Sequence, residues 1–206
     1  MINGLGTEYR DAEAITGGER RMLPPGGYVC NIVGVRNNPF NPANGKGDNL
    51  EIFYDVVEGE YRGFYRDDIR LTDGWRHRFF KSYHRTPNDP EKTKKILGMF
   101  KGFLKTVDEA NGTKFADMAE HGIEERELIG KQIGLVLQAE EYQSNRGDIR
   151  VRTNVYSITT PAKIRDGKYT VPELKRLDRT GMGGAGPSMD APAPEGFTYL
   201  DSEIPF

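Results

Sequence analysis

"DPEKTKKILGMFKGFLKTVDEANG", residues 89–112, carries its own start and stop signals. Asp89 is a good N-cap, Pro90 suits the first helical position because its missing amide would have no partner there, and Asn111-Gly112 ends the run. Ile96, Met99, Phe100, Phe103, Leu104 and Val107 recur at three- and four-residue steps, while Lys94, Lys101 and Lys105 fall elsewhere. The spacing predicts one amphipathic helix with a face packed on a sheet. What stands on either side of it decides the fold.

Upstream, the turn "LPPGGYV" (23–29) delivers "YVCNIVGV" (28–35), which is β-branched and apolar enough for a buried strand. A long loop, "NPFNPANGKGDN" (38–49), leads to "LEIFYDVV" (50–57), and Glu58-Gly59 reads as a hairpin turn into a third strand, "YRGFYRD" (61–67). Downstream, residues 113–130 are less regular. "QIGLVLQAEEY" (132–142) and "DIRVRTNVYSI" (148–158) then read as two more strands joined by "SNRG". Three strands, a helix and two strands match a mainly β chain with one or two helices. The order is that of an OB-fold, a five-stranded Greek-key barrel whose strands 2–3 and connecting loops bind oligonucleotides.

The 206 residues suffice for one such domain with extensions. Residues 1–22 read as a flexible arm, 23–177 as the OB domain, 178–200 as a linker and 201–206 as a separate tip. From Gly181 onward Gly, Pro, Ala and Met dominate with too little apolar material for a core, so disorder is expected. No apolar run approaches the roughly 18 residues of a membrane span. The opening stretch has acidic residues and no apolar block, so no signal peptide is read and a cytoplasmic setting is expected. Cys30 has no partner for a disulfide and is expected in a buried strand. His77, His84 and His121 show no zinc spacing, so neither metal nor cofactor is expected.

The net charge of −2 hides a segregation. Between Arg62 and Lys105 the cations far outnumber Asp67, Asp68, Asp73, Asp89 and Glu91, whereas Gly181 to Phe206 contains acids and no Lys or Arg. Such an asymmetry suggests a middle that meets a polyanion and an end that meets something basic.

Within the middle, "WRHRFFKSYHR" (75–85) interleaves Trp75, Phe79, Phe80 and Tyr83 with Arg76, Arg78, Lys81 and Arg85. In an extended chain Trp75, His77, Phe79, Lys81, Tyr83 and Arg85 share one face, because side chains alternate along a strand. Aromatic rings offer faces for bases and cations neutralise phosphates, the pairing that unpaired nucleic acid needs. Phe80, on the opposite side, is read as core. Tyr61 and Tyr65 with Arg62 and Arg66 repeat the pattern. The competing reading is an ordinary strand with aromatics inside and cations in water.

Other constellations are weaker. "GMGGAG" (181–186) has no strand before it and no helix after it, as a nucleotide-binding glycine loop would, and reads as linker. Asp67, Asp68 and Asp73 are of the type that holds a metal in a nuclease, but adjacent carboxylates on a strand point apart, which favours a solvated loop. No Ser-His-Asp order, Cys-His pairing or phosphate-cradling loop emerges. An enzyme is not expected.

The chain finishes on "YLDSEIPF" (199–206), where Asp201 and Glu203 suit a basic rim and Ile204 with Phe206 suits an apolar pocket. "DSEIPF" after a Gly/Pro-rich linker resembles the acidic tip of bacterial single-stranded DNA-binding proteins. "LPPGGYVCNIVGV", "LEIFYDVVEGEYRGFY", "MFKGFLKTVDEANG", "LIGKQIGLVLQAEEY" and "KIRDGKYTVPELKRL" are similar to a family of phage and prophage proteins of Gram-positive bacteria regarded as single-stranded DNA-binding proteins. This likeness spans about 23–177. It implies an OB-fold, no cofactor and a place in the host cytoplasm during phage DNA replication or recombination. The tip motif implies partner binding by Asp201, Glu203, Ile204, Pro205 and Phe206. Ser202 stands where the tip is commonly acidic, which leaves one charge fewer. The body motifs carry no list of DNA contacts.

The reading that joins these observations is a non-enzymatic protein that coats single-stranded DNA and recruits replication or recombination proteins through its tip. A homo-oligomer is compatible with it. Two alternatives differ in observable ways. An adaptor that binds a replication protein without DNA would bury the 75–85 cluster, and a metal-dependent nuclease would converge Asp67, Asp68 and Asp73 on a further carboxylate.

Overall fold

The computed structural model describes residues 22–40, 48–66, 77–86, 89–144 and 146–178, together with Thr7. The tip residues Asp201, Glu203, Ile204, Pro205 and Phe206 lie outside the described residues, as do the linker apart from Asp178 and the arm apart from Thr7 and Met22. So do Trp75, Arg76, Asp67, Asp68 and Asp73.

Helix α1 runs Pro90–Asn111 between the caps its sequence provides. The Asp89 carboxylate accepts the Lys92 amide at 2.8 Å, and Gly112 closes the helix at φ 66°, a conformation that costs a residue without Cβ little. Ile96, Phe103, Leu104 and Val107 are buried and Phe100 is half-buried, but Met99 is 41% exposed. The buried face is therefore narrower than the apolar spacing suggested. Asn111 ties the helix end to the sheet: its amide donates to the Gln132 carbonyl at 2.9 Å and its oxygen accepts the Gln132 amide at 2.8 Å.

Five strands form one antiparallel sheet: β1 Gly26–Asn38, β2 Asn49–Val56, β3 Arg78–Ser82, β4 Gln132–Gln143 and β5 Ile149–Thr159. Their order, β3-β2-β1-β4-β5, has β1 paired with both β2 and β4 and is consistent with an OB-like fold. The hydrogen-bonded sheet is open, with β3 and β5 as its edges, and α1 packs on β3, β4 and β5 across the gap. Two short helices, α2 at Phe115–Met118 and α3 at Pro161–Arg165, and a 3-10 turn at Glu125–Leu128 complete the described elements. No described helix is long and apolar enough to cross a membrane.

The third strand is not where alternation put it. Residues 60–65 form successive turns, with amide-to-carbonyl bonds from Arg62 to Gly59, Phe64 to Tyr61 and Arg66 to Gly63. Gly59 and Gly63 take φ of 78° and 74°, a region strands do not use. The rings of Tyr61, Phe64 and Tyr65 follow a turn spacing and contact one another at 5.9 and 5.0 Å. Asp55 fixes this turn by accepting the Tyr65 amide at 3.0 Å. The strand that pairs with β2 is β3, the middle of "WRHRFFKSYHR".

Cys30, Ile32, Leu50, Ile52, Tyr54, Phe79, Ile133, Leu135 and Leu137 line the inner face of the sheet and meet α1 there. Cys30 is fully buried, and burial raises its thiol pKa far above the usual value. The outer face divides in two. Over the first half of β1 and over β4, α3 and the segment after it pass so close that a Cβ on Gly134 would lie 2.7 Å from the Thr160 carbonyl, and one on Gly27 2.4 Å from the Tyr169 ring. This strap then pairs with β4 through Lys175, whose amide donates to Ala139 and whose carbonyl accepts from Glu141. Over the second half of β1 and over β3 the outer side is more open, with Val33 and Phe80 exposed, while the turn at 60–65 sits against Asp55 at the end of β2.

Candidate nucleic-acid interface

The open half of the outer face is built from three rungs. Register places Gly34, Phe53 and Arg78 side by side, then Arg36, Glu51 and Phe80, then Asn38, Asn49 and Ser82. A β-bulge between Ile32 and Gly34 makes this possible, because one extra residue in β1 turns Gly34, Arg36 and Asn38 to the same side as Glu51 and Phe53. Phe80 is 47% exposed and Phe53 half-buried, the latter backed edge-on by His77 at 6.1 Å.

Each ring carries a guanidinium. The Arg36 carbon lies 5.5 Å from the Phe53 centroid and the Arg78 carbon 5.5 Å from that of Phe80. Both cations also pair with Glu51, Arg36 at 3.3 Å and Arg78 by a hydrogen bond to the other carboxylate oxygen. At the next rung Asn38 donates to Asn49 at 3.1 Å. Phe40, 54% exposed, follows at the start of the β1–β2 loop, where its amide is held by the Asp48 carboxylate. The arrangement offers flat apolar faces, two fixed cations and amide groups in one open strip. Those are the groups that bases and phosphates use.

The residues singled out in the sequence are distributed differently. Phe79 and Tyr65 are core residues, 8% and 7% exposed, and Phe80, read as core, is the exposed one. The inversion follows from strand parity: β3 sets its odd-numbered side chains inward, against α1, because Phe79 fills the space over Phe103 at 6.2 Å. Lys81 shares that inner side, with its ammonium 5.9 Å from the Phe103 centroid. Tyr83 is half-buried, packs on Phe100 and donates to the Asn37 side chain. Tyr61 is half-buried against Tyr28. Arg62, Arg66 and Arg85 are exposed but stand outside the three rungs, and among the described residues of the named set only Arg78 lies in them.

Arg36, Phe53 and Phe80 were missed as candidates. Arg36 and Phe53 sit in strands that read as apolar and structural, and only the bulge in β1 brings Arg36 to the side on which Phe53 stands. A test of register alone would have recovered Phe80, since it shares parity with Arg78.

Tyr83 and Arg85 instead border a groove of about 750 Å³ between α1, α2 and the ends of the first three strands. Its floor is apolar, with Leu97, Phe100 and Ile123, and its rims carry Arg85 and Lys101 opposite Glu120 and Glu125. No group of metal-ligating side chains gathers among the described residues.

Burial lowers the pKa of Lys81, which has no carboxylate partner among the described residues. A lysine whose folded pKa lies below its unfolded value of about 10.4 destabilises the fold fully below the folded pKa. The burden is relieved as pH rises through that value toward the unfolded one. Lys81→Met is therefore expected to stabilise the protein by about 1 kcal/mol near neutrality. It should also flatten the rise of stability toward alkaline pH and leave oligo-dT affinity unchanged. Denaturant unfolding at several pH values checks the first two, and a loss of binding would return Lys81 to the interface.

No family model matches the chain, and no curated protein matches it.

Proposed function

We propose that this protein binds single-stranded DNA through the β1–β2–β3 outer strip and does so without chemistry of its own. The observation that carries the reading is the pair of rings, Phe53 and Phe80, each with an arginine over it, side by side on the part of the outer face that the strap leaves open. Stacking tolerates any base and the cations track the backbone, so the mode suits coating rather than sequence recognition. The likeness of the body and tip to single-stranded DNA-binding proteins supports a place in phage DNA replication or recombination. There the acidic ending would recruit partner proteins.

Oligo-dT should bind well and duplex of equal length poorly, with affinity falling as salt rises by a logarithmic slope of about 0.7 per phosphate contacted. Arg36→Ala with Arg78→Ala should lower both affinity and slope. Titrations at several salt concentrations decide this, and equal affinity for duplex or a flat salt dependence would remove the proposed mode.

Deleting 201–206 should leave oligo-dT binding unchanged or somewhat tighter at low salt, because it removes Asp201 and Glu203, which compete for cations. It should also end the capture of a replication or recombination protein. Phe206→Ala separates the apolar anchor from the charges. Pull-downs in which both variants retain every partner of the full chain would exclude a recruiting role for the ending.

A second reading, a protein-binding adaptor, draws on the groove between α1 and α2, whose apolar floor between charged rims suits a peptide. Binding of oligo-dT separates the two.

A further inference from the structure

A carboxylate at the centre of a strip that meets phosphates needs a reason. Glu51 is 2% exposed, in the middle of β2, with β1 on one side and β3 on the other. Its two oxygens are divided between two cations, Arg36 on one and Arg78 on the other. The same guanidiniums lie over Phe53 and Phe80. In the free protein, then, the cations are neutralised by Glu51, and each guanidinium stands over part of a ring that is otherwise open to solvent. A base cannot stack on a face that a guanidinium occupies.

We propose that Glu51 is a latch on the binding strip. Single-stranded DNA binds by exchange: phosphates take Arg36 and Arg78 from Glu51, and bases take the ring faces the arginines leave. This rests on the single-stranded DNA reading above. The mobile partners are the arginines, whose side chains are 53% and 30% exposed, while the carboxylate, 3% exposed, stays in place. Glu51 therefore opposes binding twice, by holding the cations and by repelling the incoming phosphate at close range. Its benefit to the free protein is that two arginines are not left open to any passing anion.

The test uses Glu51→Gln in the full chain, which keeps the shape and one acceptor but removes the charge. Glu58→Gln is the control, since Glu58 pairs with Arg165 beyond the strip, so the same change of net charge occurs elsewhere. Anisotropy titration of labelled oligo-dT at low salt is expected to show about tenfold tighter binding for Glu51→Gln and little change for Glu58→Gln, with the gain shrinking as salt rises. Unchanged or weaker binding of Glu51→Gln, or an equal gain in both variants, overturns the latch. Should Glu51→Gln fail to fold, the unaltered protein still decides. The Arg36 and Arg78 side-chain resonances, shifted by the rings beneath them, should move when oligo-dT is added, and resonances that stay in place overturn the proposal. If the unaltered chain does not bind oligo-dT, the reading of function falls and the latch with it. If it binds and only the Glu51 results fail, the latch alone falls.

Discussion

Replacing Phe53 and Phe80 together with alanine is expected to lower the affinity for oligo-dT by roughly 2–6 kcal/mol, because each base stacked on an aromatic ring contributes roughly 1–3 kcal/mol. The two rings differ in what else they do. Phe80 is 47% exposed at the edge strand, so Phe80→Ala should leave thermal stability nearly unchanged and act on binding alone. Phe53 is half-buried against His77, so its loss should cost some stability as well. The neighbour in sequence supplies the contrast. Phe79 is 8% exposed and packs on Tyr54 and Phe103, so Phe79→Ala should destabilise the fold by about 3–5 kcal/mol while the folded fraction binds oligo-dT normally. Melting curves and titrations on the same three proteins check the pattern. A stable Phe79→Ala that cannot bind, beside a Phe80→Ala that binds normally, would mean that the inner side of β3 is the functional one.

That contrast also shows where a sequence is readable and where it is not. Helix α1 was legible to its caps because Asp89, Pro90 and Gly112 act on backbone groups within four residues of themselves, and such local chemistry survives without knowledge of the fold. Strands β1, β2, β4 and β5 were legible because each is long and apolar on at least one side. β3 was not, since its five residues are flanked by others of the same composition and nothing in "WRHRFFKSYHR" says which parity faces α1. A one-residue error there exchanges every candidate contact for a core residue, which is how Phe79 and Phe80 changed places.

The mixed character of the segment was visible all the same: cations and rings do alternate, and Arg78 and Phe80 do share a surface. The other half of the strip depends on a bulge in a different strand and on a partner carboxylate fifteen residues beyond Arg36, neither of which has a local signature. Tyr61 and Tyr65 failed for the opposite reason. Their alternation with arginines is genuine, but Gly59 and Gly63 divert the backbone into turns before a ladder can form.

Gly134→Ala is expected to cost the fold about 1–3 kcal/mol, the largest effect of any single methyl group considered, and Gly27→Ala distinctly less. At Gly134 the added Cβ would lie 2.7 Å from both the Thr160 carbonyl oxygen and the Ile164 side chain, with the Thr160 carbonyl carbon at 3.0 Å. Backbone cannot yield by rotating a side chain, so α3 itself must lift from β4. At Gly27 the obstacle is the Tyr169 ring, 2.4 Å away, which can swing aside at the price of its own packing. Further along, the strap is tied to β4 by the two backbone hydrogen bonds of Lys175, which do not involve α3. The Arg165–Glu58 pair, at 2.6 Å, holds the Glu58 carboxyl below its usual pKa through the arginine hydrogen bond, but both side chains are largely in water and such pairs contribute little. Lifting α3 uncovers Val136, now 2% exposed, on the outer side of β4. The strap thus covers the outer side of β4 and of the first half of β1, and loosening it should add apolar surface without adding cations. Gly134→Ala should accordingly melt earlier and self-associate more readily, while its oligo-dT affinity and salt slope stay those of the unaltered protein. Denaturant unfolding, light scattering and the salt titration read these three quantities. A Gly134→Ala protein as stable as its parent would show that α3 does not press on β4, and a changed salt slope would place part of the phosphate contact beneath the strap.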